Sequence, residues 1–237
     1  MADDDGDRGG HDLVESREAL GDPTDIAVAL RAGAALFNEG YVLAAHDPWE
    51  AAWLPLEAGG DGGDRNDGDD ERLLHGLIAT AAATHHATEG NWAGAVGCAE
   101  NAVEYLRPLG PTCHGVAIDP VLRWCRRLAT DPETIERRNP PEFRVGGRVV
   151  GFADLDLAAA TVAAPVVADA VTPGDEAVVS TAADLAREEY GTGRAAVAEL
   201  LFGFLRQPDA RPQIVARLAD RVDRAERKRR DVDDLFE

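Results

Sequence analysis

The 237-residue sequence contains a single lysine, Lys228, and only two serines, Ser16 and Ser180. With one lysine near the C-terminal end, a P-loop lysine, a Schiff-base lysine and a catalytic lysine are all but excluded. Neither serine lies in a nucleophile-elbow context, so serine hydrolase chemistry is disfavoured as well. Aromatic residues make up 5% of the chain, so a core must be assembled from small side chains, chiefly Ala, Val and Leu. The three cysteines, Cys98, Cys113 and Cys125, form no CxxC pair, and an odd count argues against a disulfide framework. They read as ordinary reduced thiols. Long apolar runs are missing too: Gly76 to Thr88 and Leu157 to Ala168 fall short of the ~18 residues a membrane span needs, and the second contains Pro165. The N-terminal MADDDGDRGGHD is acidic, opposite in character to a signal peptide. These absences predict a soluble, cytoplasmic protein.

Cations are outnumbered, with 24 Lys+Arg against 44 Asp+Glu and a formal net charge of −20. Binding a polyphosphate depends on basic side chains releasing counterions, so nucleic acid and anionic membranes are not default partners. Acidity of this strength with almost no lysine resembles proteins of salt-accumulating archaea. At ~1 M salt the Debye length is near 3 Å, which relieves the mutual repulsion of the carboxylates. The one basic cluster, Arg224 to Arg230, reads as a solvated helix end whose charge suits the C-terminal helix dipole.

Along the chain, residues 1–23 form an acidic tail expected to be disordered. Residues 24–130 carry helical periodicity in short-looped segments. Thr24 is the predicted N-cap of the first helix, which Gly40 ends. A second helix is predicted from Tyr41 to about Leu56, then a solvated acidic loop over 59–71, and a third helix from about Asp70 to Glu89. Gly90 sits at C′ of that helix, and Asn91 caps a fourth, Trp92 to Leu106. A fifth is predicted with Asp119 as cap and Pro120 at N1. Residues 131–174 read as a linker whose Phe143 to Val150 stretch is a β-hairpin turning at Gly146-Gly147, followed by an Ala/Val-rich connector. Helices near 176–189, 194–206 and 210–233 make up a C-terminal helical region, 175–237. The predicted fold class is all-α: an antiparallel helical-hairpin bundle with a short β-hairpin and an appended C-terminal helical region. Gly191-Thr-Gly193 has dinucleotide-motif spacing but follows a helical segment rather than a strand, so its context fails.

The informative stretches are Leu36 to Trp53 (LFNEGYVLAAHDPWEAAW) and His75 to Ala95 (HGLIATAAATHHATEGNWAGA). Phe37, Asn38, Gly40, Ala45, His46, Glu50 and Trp53 fit FNxGxxxxAHxxxExxW, and Gly76 to Ala95 fit a second pattern containing His86, Gly90 and Asn91. Together they resemble the domain-of-unknown-function 309 family over about residues 30–107. The resemblance implies an all-α helical-hairpin fold and a metal role for the His-x3-Glu pair; it brings no reaction with it.

The residues themselves allow two readings. In a continuous helix His46 and Glu50 lie at i, i+4, about 6 Å apart, a spacing at which imidazole and carboxylate can share a divalent ion. If the second and third helices are antiparallel, residue 56 faces about 71 and His46 faces about 81, so His85 or His86 is within reach as a third ligand, and His86 is the candidate. A divalent transition metal such as Zn, Mn, Fe or Ni would then be the cofactor. Against this, Asp47-Pro48-Trp49-Glu50 also reads as cap, N1 proline and capping-box acid, which would start the helix at 48 and lose the i, i+4 geometry; a continuing helix would be kinked by Pro48. Under this second reading His46, Glu50 and Trp53 form a structural cluster, with Trp49 and Trp53 as core anchors. Asn38 is then a turn and cap residue, and Gly40, Gly90 and Asn91 are helix-end residues. Two functions follow. One is a helical domain binding a divalent metal or small ligand through His46, Glu50 and His86. The other is a non-catalytic interaction or assembly module, with a homo-oligomer or protein partner engaged through the C-terminal helices.

Overall fold

A computed structural model describes residues 20–58, 65–172 and 174–233. The predicted acidic tail up to residue 19 and residues 59–64 of the predicted acidic loop lie outside the described residues, whereas 65–71, also predicted as loop, already belong to a helix. Contacts divide the chain into two compact units, Thr24–Leu155 and the described parts of Met1–Pro23 with Asp156–Glu237. The architecture is mostly helical with one small antiparallel sheet.

The first unit opens with α1 (Ile26–Asn38), α2 (His46–Ala58), α3 (Arg65–Thr88), α4 (Trp92–Leu106) and α5 (Ile118–Thr130). Each start and stop has a local cause. The cap of α1 is Asp25, whose Oδ1 accepts from the amides of Ala27 at 2.8 Å and Val28 at 3.3 Å. It displaces the predicted Thr24 because a carboxylate accepts two amides at once and carries charge suited to the helix dipole. Gly40, with φ +91°, follows the helix, and the Tyr41 amide returns to the Leu36 carbonyl at 2.9 Å, a 6→1 closure of the exposed carbonyls.

Residues 41–45, expected to be helical, are a series of turns instead. The Asp47 amide bonds Ala44 O at 3.2 Å, and Pro48 has no N–H with which to extend an α pattern backwards. The helix starts at His46, so Pro48 occupies the first turn, where an N–H has no intrahelical partner anyway. Neither predicted penalty arises. His46 stays inside the helix and Pro48 breaks nothing; Pro55 is the proline that falls in the interior of α2.

Helices α2 and α3 pack against each other, as do α3 and α4, and α4 and α5. The Trp53 ring lies 5.0 Å from that of His75, next to residue 74, which the predicted register places opposite it. Alanine dominates these seams. Ala83, Ala87, Ala95 and Ala99 close one cluster with Trp124 and Leu128, because methyl side chains let helix axes approach within the 8–10 Å of tight packing. Helix α5 begins at Ile118 rather than after Asp119, and Ala117 precedes it without a side-chain cap. The β2 pairing takes the chain straight into the helix, so no cap residue is used. Val121, Leu122, Cys125 and Leu128 are buried as predicted.

Four two-residue strands follow the order β1 (Thr112–Cys113), β2 (Val116–Ala117), β3 (Arg144–Val145), β4 (Arg148–Val149), all antiparallel. The predicted turn at Gly146-Gly147 has φ +62° and +78°, the positive values a two-residue hairpin requires. The unpredicted first hairpin turns at His114-Gly115, and His114 is the one non-glycine residue at positive φ among the described residues, at 46°.

The second unit contains α6 (Leu157–Ala170), α7 (Glu176–Glu189), α8 (Ala196–Arg206) and α9 (Arg211–Asp233). Helix α6 corrects the expectation of a connector. Asp156 caps it through a 3.0 Å bond from the Ala159 amide, and alanine's high helix propensity offsets the loss at Pro165. Ala159, Ala160, Ala163, Ala164 and Val167 are fully buried, so the segment lacks the polar face that makes a helix periodic in sequence. Helices α7 to α9 fall within two residues of their predicted starts, and Ile214, Leu218 and Val222 face inward on α9 as expected.

Candidate functional site

The candidate residues belong to Thr24–Leu155. Asn38, at the C-terminal end of α1, reaches across 105 residues of sequence. Its Oδ1 accepts from the Phe143 amide at 2.7 Å, and its Nδ2 donates to the carbonyls of Phe143 and Val150, both at 2.9 Å. The carboxamide thus joins both arms of the second hairpin to α1. Its neighbours act on the same segment. Glu39 Oε1 accepts from the Phe152 amide at 3.1 Å and Arg31 donates to Asp154 O at 2.6 Å. Phe37 packs edge-on against Phe143 at 4.6 Å, and Tyr41 lies 5.9 Å from Phe152. Phe37 to Tyr41 therefore grips residues 143–154. The expectation of Asn38 as a local turn residue is replaced by a long-range clasp, which local sequence cannot reveal because both partners are backbone groups of a distant segment.

Trp49 completes the grip. It is fully buried and its ring lies 5.5 Å from Phe143. Its other face rests on Gly33, where an added Cβ would stand 2.3 Å from Trp49 Nε1 and 2.9 Å from the Ala45 carbonyl oxygen. Glycine here is required by close approach. The buried Nε1 groups of Trp49 and Trp53 have no hydrogen-bond partner among the described residues, which costs each site about 1–3 kcal/mol. Trp53 is half-buried beside His75, and His75 stacks on Tyr105 at 4.1 Å, so the core-anchor reading holds fully for Trp49 and partly for Trp53.

His46 and Glu50 are brought together. Their Nε2 and Oε2 atoms are 3.9 Å apart, and Asp47 Oδ1 is 3.1 Å from the same Nε2. His46 Nδ1 lies 2.5 Å from the Leu43 carbonyl; a carbonyl can only accept, so Nδ1 carries a proton and Nε2 is the nitrogen turned to the two carboxylates. The site is superficial, with side-chain exposures of 32% for His46 and 48% for Glu50.

His86 does not complete a three-ligand set with this pair. Among the described residues no group of three or more His, Cys, Asp or Glu side chains is placed to hold a metal ion. At the α3–α4 turn His86 Nδ1 instead accepts from Asn91 Nδ2 at 3.3 Å, while Asn91 Oδ1 accepts from the Gly94 amide at 3.1 Å. Gly90, at φ +70°, makes the turn, and the Asn91 amide closes on His86 O at 2.8 Å. The second half of the motif is the corner of a helical hairpin. Its short loop draws His86 towards α4, away from the role predicted from the α2–α3 register.

Two polar groupings went unread in the sequence. On α3, Thr80 and Thr84 are buried and return hydroxyl bonds to Gly76 O at 2.7 Å and Thr80 O at 2.8 Å. Thr84 Oγ1 also accepts from Trp124 Nε1 at 2.9 Å, and Thr80 Oγ1 lies 3.2 Å from Cys125 Sγ. The i, i+4 spacing of threonines was the available signal. The second grouping pairs His114 Nε2 with Asp70 Oδ1 at 2.5 Å. Beside it, burial foremost and then the charges of Asp70 and Asp69 raise the Cys113 thiol above its ordinary value, which keeps it protonated and a poor nucleophile. Burial likewise pushes Cys125 up to about 11 and raises Cys98. The reading of all three as ordinary thiols agrees with these environments.

No helix among the described residues is long and apolar enough to cross a membrane. No curated protein and no solved structure matches the chain. Residues 30–98 do match the family model described as Domain of unknown function (DUF309), which supports over that span the family reached from the motif.

Proposed function

We propose that residues 24–155 are a non-catalytic interaction module in which the family motif builds the fold and the outer face of α2 makes the protein contact. The observation that carries this reading is where the motif residues spend their interactions. Asn38 makes three bonds to backbone, Asn91 caps α4 and binds His86, and Trp49 is buried against Gly33 and Phe143. His46 and Glu50 remain at the surface, and two of the three exposed large hydrophobic side chains among the described residues, Leu43 at 42% and Leu54 at 51%, flank them. Leu54 follows Glu50 by four residues, so His46, Glu50 and Leu54 share one side of the helix. Exposed leucines on the same face as an ionisable pair give a protein partner both apolar area to cover and charge to match, and this favours α2 over the C-terminal helices as the partner surface. The occupant we assign is a second copy of the chain, because a two-fold contact sets His46 of one copy against Glu50 of the other on the same face.

A second reading has one specific observation in its favour. With the His46 Nδ1 proton held by a backbone carbonyl, Nε2 is oriented as in histidine ligands generally, and a divalent transition metal would take Nε2 with the Glu50 carboxylate and fill the rest of its shell with water. The acidic balance and the single lysine support a salt-rich cytoplasm as the setting for either reading.

Light scattering on protein in molar salt, combined with elemental analysis, separates the two. The module reading expects a dimer that Leu54→Glu converts to monomer, with no stoichiometric metal. A monomeric parent carrying one equivalent of Zn, Mn, Fe or Ni that is lost in His46→Ala would overturn it in favour of the metal.

A further inference from the structure

In a chain of net charge −20, the second unit gathers basic side chains around a cleft of about 610 Å³; two of them, Arg221 and Arg224, also border a neighbouring cleft beside Arg217. Arg194, Arg221, Arg224, Lys228 and Arg229 line it against two acids, Glu188 and Glu189, so the formal charge of the lining is five minus two, or +3. The cations come from two places. Arg221, Arg224 and Lys228 follow i, i+3, i+7 on α9 and project along one flank of the helix, while Arg194 arrives from the loop before α8. The floor is apolar, formed by Leu185, Val197 and Ala225.

Two of these cations are engaged inside the unit: Arg229 pairs with Glu188, and Arg224 Nε donates to the Asp220 carbonyl at 2.8 Å. Arg194, Arg221 and Lys228 form no ion pair with a described residue, although acids outnumber bases almost two to one in the chain. Like charges held together without partners repel, and an arrangement of this kind is stabilised when a multivalent anion enters. The volume falls within the range of small-ligand sites.

We infer that this cleft binds a phosphate-bearing small molecule: its phosphates meet the Arg194, Arg221, Arg224 and Lys228 side chains, and its apolar or aromatic part lies on Leu185, Val197 and Ala225. Guanidinium groups hold phosphate oxygens two at a time, and the volume of about 610 Å³ matches a compact ligand. The sequence cluster Arg224 to Arg230, read alone as a solvated helix end, thereby acquires a role through its meeting with Arg194. The inference is independent of the motif in the first unit.

The test uses the full chain at the lowest KCl concentration at which circular dichroism shows the parent fully folded, since screening weakens binding as salt rises, with pyrophosphate, ADP and adenosine as probes followed by calorimetry. One saturable site per chain is expected, with ADP bound at least ten-fold more tightly than adenosine. The Arg221→Gln/Lys228→Gln double variant should weaken ADP at least ten-fold, whereas Arg126→Gln, an exposed arginine of the first unit, should leave it unchanged. Glu188→Gln, which frees Arg229, should tighten ADP several-fold, and circular dichroism of each variant should match the parent. Absence of saturable ADP and pyrophosphate binding, or affinity unaltered in the folded double variant, would overturn the assignment. So would a single-stranded oligonucleotide that binds more tightly than ADP and displaces it, since the site would then belong to nucleic acid.

Discussion

Asn38 and Phe143 are joined by a two-way hydrogen bond, the side-chain oxygen accepting the Phe143 amide at 2.7 Å and the side-chain nitrogen donating to the Phe143 carbonyl at 2.9 Å. One carboxamide thus stands in for the edge of a neighbouring strand, and a third bond to Val150 O secures the other arm. Asn38→Ala leaves one amide and two carbonyls without these partners. A fully buried polar group left unpaired costs about 1–3 kcal/mol; these three are partly buried and water repays part of each, so a loss of about 2–5 kcal/mol in all is expected in urea unfolding. Asn38→Asp, which can accept but not donate when ionised, should fall between the variant and the parent.

Gly33 and Trp49 should be energetically coupled. An alanine at 33 places Cβ 2.3 Å from Trp49 Nε1, a distance that forces the indole or the helix to move; overpacking of this kind costs about 1–3 kcal/mol. Trp49→Phe removes the pyrrole edge and its unpartnered N–H, at the cost of lost packing. In a double-mutant cycle Gly33→Ala is expected to cost at least about 1 kcal/mol less in the Trp49→Phe background than in the parent. Additive effects would show that the two residues do not compete for the same space.

Cys125 gives the fold an alkaline limit. Burial raises its thiol from the ordinary 9.0 to about 11, so the folded state holds the proton more tightly than the unfolded chain does. The associated stability is fully present below pH 9 and is lost as pH rises towards 11, roughly 2–3 kcal/mol in all at about 1.4 kcal/mol per pH unit. Unfolding free energies measured at pH 8 and pH 10 should therefore converge in Cys125→Ala relative to the parent. An equal pH slope in both proteins would remove the thiol from the explanation.

Salt should stabilise the protein strongly. With 44 acids against 24 bases, self-repulsion opposes the folded state until the screening length shrinks to a few ångströms near ~1 M. The thermal midpoint is expected to rise by more than about 10 °C between ~0.1 and ~2 M KCl, well beyond the shift of a charge-balanced domain; a flat profile would argue against the high-salt setting.

Much of this fold was legible locally. The end of α1 at Gly40, the Gly90-Asn91 corner and the Gly146-Gly147 hairpin follow from single residues whose conformational or capping preference leaves few alternatives. Helices α7 and α9 follow from clean amphipathic periodicity. Helix α6 was hidden because burial on most sides erases the polar face, and Pro165 reads as a breaker. The site was half legible. His46 and Glu50 meet as their spacing predicts, since i, i+4 geometry is intrinsic to a helix. Asn38's role was not legible, because its partners are main-chain atoms more than a hundred residues away, outside the span matched by the family. The place of His86 was not legible for a related reason: the register argument weighed α2 against α3 and left out the claim of Asn91 and α4 on the same ring.

The account stands on the claim that the FNEGY half of the motif clasps residues 143–154. Amide hydrogen exchange at Phe143 tests it most directly, since that N–H is held by Asn38 Oδ1. In Asn38→Ala, under conditions where α3 and α4 remain protected, exchange at Phe143 should accelerate at least ten-fold relative to the parent. Unchanged protection of the Phe143 amide in the folded variant would contradict the claim.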